Sequence, residues 1–235
     1  MRIIRLVAIS AIMTLTVVSS AKAQFATGAD IVSSYVWRGI PQEDPTGKTS
    51  GTPNIQPYAS FTTGALTLGS WASGSFSGNV KEVDLYATYA ISSAFALTLT
   101  DYNFNFGSQP NYFDYRSATT GHDFEGTIAY TGTAFSASVN TMFAGADKKP
   151  SDPSKQALST YIELGYQINP LAKLFLGGVL GESNNYLTTG AGITNLGIKV
   201  SKSIAITDKF SLPVYGILGA NPYAKNAFFV AGITL

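Results

Sequence analysis

Residues 82–91 read Glu82-Val83-Asp84-Leu85-Tyr86-Ala87-Thr88-Tyr89-Ala90-Ile91. Val83, Leu85, Ala87, Tyr89 and Ile91 fall on one face of an extended chain. Glu82, Asp84, Tyr86, Thr88 and Ala90 fall on the other. A period of two is the signature of a β-strand with one apolar face. The pattern returns at 133–143, where Phe135, Ala137, Val139, Thr141 and Phe143 oppose Ser136, Ser138 and Asn140. It returns again at 161–168, where Ile162, Leu164, Tyr166 and Ile168 oppose Tyr161, Glu163, Gly165 and Gln167. No segment after residue 23 carries a convincing helical period.

Extending this reading along the chain gives twelve segments, at 29–38, 54–63, 65–73, 82–91, 94–104, 122–131, 133–143, 158–168, 172–181, 192–202, 209–219 and 226–235. Each has about the 9–11 residues that a tilted strand needs to cross a bilayer. The connections alternate in length. Thr63-Gly64, Ser92-Ser93, Gly132 and Asn169-Pro170-Leu171 are tight turns, whereas 39–53, 74–81, 105–121, 144–157, 182–191 and 220–225 are longer. One turn, 202–209, contains Ile204 and Ile206 and reads as able to extend its strands. A soluble sandwich has shorter strands and no reason to alternate its loop lengths. The pattern predicts an all-β fold: a transmembrane antiparallel up-and-down β-barrel of about twelve strands, with short periplasmic turns and long extracellular loops. The same phase puts Tyr35 and Trp37 on the face of Ile31, at the outer end of the first strand, as part of an interfacial aromatic girdle.

Composition narrows the alternatives. The 235 residues are 45% hydrophobic but only 12% charged, about half the usual charged share. With no Cys, disulfides, thiolate zinc sites and cysteine nucleophiles are excluded, and one His excludes a multi-histidine metal site. A net charge of +1 offers no basic footprint for nucleic acid. The first 23 residues read as a cleaved signal peptide. Arg2 and Arg5 precede the apolar run Leu6–Val18, and Ala21-Lys22-Ala23 supplies the small-x-small pattern for cleavage after Ala23. Residues 24–235 are then one barrel domain.

If the apolar faces meet lipid, their alternates line the lumen. That assigns Arg38, Glu82, Asp84, Glu125, Glu163, Asn195 and Lys199 inward as pore-lining candidates. They either line opposite walls and set selectivity or pair across the lumen as a polar plug. The acidic excess among them predicts a weak cation preference. The 105–121 segment carries dense aromatics, with Phe104 and Phe106 leading to Tyr112, Phe113 and Tyr115. These could gate the mouth, form a recognition surface, or simply pack on one another at the rim, which is the favoured reading. His122, with Asp123 and Glu125 near it in sequence, reads as a rim histidine, because no serine stands in a G-x-S-x-G context. No phosphate loop or nucleotide fingerprint is present. No catalytic residue, cofactor or metal is expected.

Several stretches carry a resemblance. Asp30-Ile31-Val32-Ser33-Ser34-Tyr35-Val36-Trp37-Arg38-Gly39 is the strongest. Glu82-Val83-Asp84-Leu85-Tyr86, Thr100-Asp101-Tyr102, Tyr112-Phe113-Asp114-Tyr115, Asn221-Pro222 and the final Phe228-Phe229-Val230-Ala231-Gly232-Ile233-Thr234-Leu235 add to it. Together they resemble the TorF-type porin family of small proteobacterial outer-membrane proteins. A departure is the final Leu235, where outer-membrane barrels commonly end in an aromatic. The resemblance implies a bacterial outer-membrane location and porin-like passive diffusion of small hydrophilic solutes or ions. The implied partners are the lipid bilayer, those solutes and, during biogenesis, the barrel-assembly machinery. A non-conducting structural or adhesion barrel with a plugged lumen is the alternative, and an outer-membrane lipid hydrolase ranks third.

Overall fold

The alternation at 82–91 is a strand in the computed structural model, which describes residues 23–43, 51–78, 81–104 and 111–235. Residues 1–22, most of the expected signal segment, lie outside the described residues, as does Phe106. Twelve strands form one closed antiparallel barrel. They are β1 Gln24–Val32, β2 Asn54–Thr63, β3 Leu66–Ser75, β4 Lys81–Ala90, β5 Phe95–Asn103 and β6 His122–Thr131, followed by β7 Phe135–Gly145, β8 Thr160–Asn169, β9 Ala172–Val179, β10 Gly192–Ala205, β11 Ser211–Asn221 and β12 Asn226–Thr234. Each strand pairs with its neighbours in sequence, and β1 closes on β12 through Asp30↔Thr234, Ile31↔Ile233 and Val32↔Gly232. Leu235 and Ala29 lengthen the seam by exchanging backbone hydrogen bonds of 2.8 and 3.2 Å. Closure leaves no edge strand with unpaired backbone groups.

The side chains sort as the period-two reading requires. Leu68, Leu85, Leu99, Ile128, Leu164, Leu218 and Phe229 are exposed on the outer surface. Asn54, Ser73, Thr88, Glu125, Thr127, Asn140 and Asn221 are buried inside. A water-soluble protein does not carry so continuous an apolar belt outward around a polar interior, whereas a membrane-spanning barrel requires it. Ten residues at ~3.3 Å rise, tilted by ~40°, span the ~25 Å apolar band of such a barrel.

Two differences from the sequence reading matter. Residues 206–210 form a short connection between β10 and β11, and β10 runs on to Ala205, the extension that Ile204 suggested. The larger difference is at the first strand, which covers Gln24–Val32 rather than 29–38. The chain leaves the wall at Ser33-Ser34 and makes a small hairpin, Val36–Trp37 against Ile40–Pro41. Arg38 (φ 49°) and Gly39 (φ 84°) form its tip in the left-handed region. An alternating run cannot by itself tell a continuous strand from a strand followed by a hairpin. Tyr35 and Trp37 are therefore not in an outer girdle. Both are buried inside the barrel, at 6% and 9% exposure.

Candidate functional site

The inward-folded segment 33–43 fills the lumen at the long-connection end, and its chemistry centres on Arg38. Gly39 lies so close to the wall that a Cβ there would overlap the Thr194 carbonyl. The positive φ and the lack of a side chain are both required for this approach. Asn221 Nδ2 donates to Gly39 O (3.2 Å) and Thr194 Oγ1 to Arg38 O (3.3 Å), which fixes the hairpin tip against β10 and β11. So held, the Arg38 guanidinium crosses the lumen to Glu125 on β6. Its two terminal nitrogens donate to the two carboxylate oxygens at 2.5 and 2.8 Å. This is the bidentate geometry that matches guanidinium to carboxylate, and both side chains are almost fully buried. Tyr102 Oη and Thr127 Oγ1 also donate to Glu125, each at 3.2 Å.

Aromatic rings surround the ion pair. Arg38 lies 4.9 Å over the Tyr161 ring and donates to the Tyr186 hydroxyl. Trp37 stacks on Tyr186 at 4.9 Å and meets Tyr102 and Phe104 edge-on. Tyr35 packs against Trp71 at 5.4 Å, and its hydroxyl donates to Glu82 (3.1 Å). Glu43 anchors the end of the segment by accepting from Ser34 Oγ (3.0 Å) and Tyr35 N–H (2.7 Å). Tyr186 comes from a second connection that bends inward, between Glu182–Ser183 and Thr188–Thr189. Asn185 holds that connection by donating to Asp123 Oδ2 (2.9 Å). The long-connection end is thus closed by two segments that meet at Trp37 and Tyr186.

The pore-lining candidates divide into groups. Arg38 and Glu125 form one pair. Glu82 and Asp84 lie buried behind Tyr35, where Asp84 accepts from Asn103 N–H (3.3 Å) and neither acid meets a cation within 4 Å among the described residues. Glu163 accepts from Tyr161 Oη (2.8 Å) and Asn195 Nδ2 (3.3 Å). Lys199 stands apart, toward the short-turn end, with its ammonium 4.3 Å over the Tyr215 ring. Tyr161 was legible as the neighbour of Glu163 on the polar face. Tyr186 sits in a connection with no period to read.

The aromatic segment around Tyr112, Phe113 and Tyr115 goes elsewhere. It does not enter the mouth, which is filled instead by 33–43 and Tyr186. It folds over the outer face and covers His122, whose ring has the outward phase of Asp101 and Phe124. His122 Nδ1 meets Asp101 Oδ1 at 2.6 Å, and Nε2 meets Tyr112 O at 2.5 Å. Tyr115 stacks on the imidazole at 4.2 Å, while Phe113 stays exposed at 78%. Burial and then the Asp101 carboxylate push the Tyr115 hydroxyl up to about 12. Hydrogen bonds from Arg116 and Thr119 hold Asp114 well below the usual carboxylate range. With both its ring nitrogens engaged, His122 has no free nitrogen for a nucleophile. Among the described residues no three His, Asp or Glu converge as a metal site. No family model matches this chain, and no curated protein matches it.

Proposed function

We propose that this chain is an outer-membrane channel for small hydrophilic solutes or ions, closed at its outer mouth in the described conformation by its own first connection. The carrying observation is the bidentate Arg38–Glu125 join between a segment that has left the wall and the wall itself. A barrel that needed only a filled core would be served by apolar side chains at lower desolvation cost. A buried ion pair on a displaced segment is instead a contact that can be made and broken as a unit. Below it the lumen carries small hydroxyl side chains such as Thr62, Thr67 and Thr98, which solvent partly reaches. The resemblance to TorF-type porins supports the same reading, with export through a signal peptide and insertion by the barrel-assembly machinery. The reading assigns no catalytic step.

The aromatic packing around Trp37 favours a second reading, a permanently non-conducting barrel. Planar-bilayer recordings of the folded protein and of a variant lacking residues 35–42 separate the two. The channel reading expects rare or small steps from the native chain and frequent, larger steps from the deletion variant. Silence from a deletion variant that keeps heat-shifted gel mobility would overturn the channel and leave the second reading.

A further inference from the structure

Lys173 and Lys199 are directly opposite each other on β9 and β10. Like charges in that relation oppose strand pairing, and nothing in the fold requires two. Both have the lumenal phase, in line with Gly177 and Asn195, which also pair. Among the described residues neither lysine makes an ion pair within 4 Å. The Lys199 ammonium lies over the Tyr215 ring. Two acids face them and keep their charge: Glu163, which accepts from Tyr161 and Asn195, and Asp30, which accepts from Tyr215 Oη at 3.4 Å.

A third group converges on the same place. A Cβ at Gly165 on β8 would overlap both the Lys173 side chain and Ser136 Oγ from β7. The glycine therefore leaves room in which an ammonium and a hydroxyl approach each other. Ser136 Oγ is buried and has no hydrogen-bond partner among the described residues. Buried hydroxyls normally have one. Two ammonium groups and an unsatisfied hydroxyl, all donors, face one part of the lumen.

We propose that Lys173, Lys199 and Ser136 form a binding step for small oxyanions in the short-turn half of the barrel. Ammonium groups act as point charges without the planar fork of arginine, so the site selects charge and oxygen donors over shape. This deepens the channel reading and rests on it for transport, though binding itself needs only access from the short-turn end. It also weakens the cation preference expected from counting acids, because Glu163 and Asp30 are matched by the two lysines. Glu125 is neutralised by Arg38, and Glu82 and Asp84 lie behind the inward-folded segment.

The test uses the full folded chain in detergent micelles, with inorganic phosphate as the probe and chloride at matched ionic strength as the control. Lysine side-chain NMR signals are assigned through Lys173→Gln and Lys199→Gln. Saturable phosphate-dependent shifts confined to these two lysines, weakened at least threefold by Ser136→Ala, are expected. Weak linear shifts shared by all lysines, or equal shifts with chloride, would mean no site and overturn the proposal. Bilayer recordings of the variant lacking residues 35–42 address transport separately. There, the reversal potential should move toward cations by several-fold in permeability ratio when both lysines become Gln. Saturable binding with a silent bilayer would sink the channel and leave the site standing. Conduction without saturable binding would do the reverse.

Discussion

Two aromatic connections leave the same end of the barrel and go opposite ways. Residues 33–43 turn into the lumen, while residues 111–121 lie over the outer face. Both are rich in Tyr, Phe or Trp, so aromatic density does not set the direction. The polar anchor does. Arg38 has a carboxylate waiting on the inner phase of β6, whereas the carbonyl of Tyr112 meets His122 and, through it, Asp101 on the outer phase of β5 and β6. Aromatic rings can pack on either side of a wall, but a buried charge must go where its partner is.

The largest effect should come from removing one side of the inner anchor. Glu125→Leu leaves Arg38 buried and unpaired, so docking of the segment should weaken by roughly 3–5 kcal/mol. Trp37 and Trp71 are the only tryptophans, so a Trp71→Phe background makes Trp37 emission a direct reporter. A red shift is expected with Glu125→Leu, and most of it should be recovered when Arg38→Met is added. Failure of the double variant to recover would show that packing, not charge, directs the segment inward.

A smaller effect belongs to the outer anchor. His122→Phe keeps a ring for Tyr115 to stack on but removes the polar contacts of both nitrogens, with Asp101, Tyr112 and Asn103, at a cost of about 1–3 kcal/mol. Chymotrypsin should then cut faster around Tyr112 and Tyr115, with Trp37 emission unchanged. A change at Trp37 would mean that the two connections are coupled and that the contrast between them is too sharp.

The smallest effect is a pH dependence. Burial raises the Glu43 carboxyl above its ordinary range, against the hydrogen bonds it accepts. A raised folded value means that this contribution is complete below the ordinary glutamate pKa of ~4.3 and is lost as pH rises through the folded value. Hydrogen–deuterium exchange of 33–43, corrected for intrinsic rates, should therefore show more protection at mildly acidic pH. Glu43→Gln keeps an acceptor for Ser34 and Tyr35 and should flatten the trend. An unchanged trend in that variant would assign the dependence to other acids.

Most of the wall was legible because strand residues repeat every second position, as at 82–91, and a lipid-facing strand cannot tolerate a slip of one residue. Glu125 and Glu163 were placed inward on that basis alone. Arg38 was placed inward too, but as part of a strand. Its positive φ leaves no mark on a period, and Tyr35 and Trp37 continue the phase of Ile31 past the point where the backbone departs. Tyr186 had no signal at all. Its role arises from a connection that becomes a neighbour of Trp37 only through the fold.

Sequence separation orders these contacts in folding. Arg38 meets Glu125 across 87 positions, Tyr186 across 148, and Asn221 reaches back to Gly39 across 182. Contacts so distant along the chain form only after the intervening loops have been closed by other interactions. The hairpins of the wall join residues that are close in sequence and do not wait. The seam from Asp30 to Thr234 is more distant still, so the seal at Glu125 and the closing of the wall are both late events, and both wait on the hairpins.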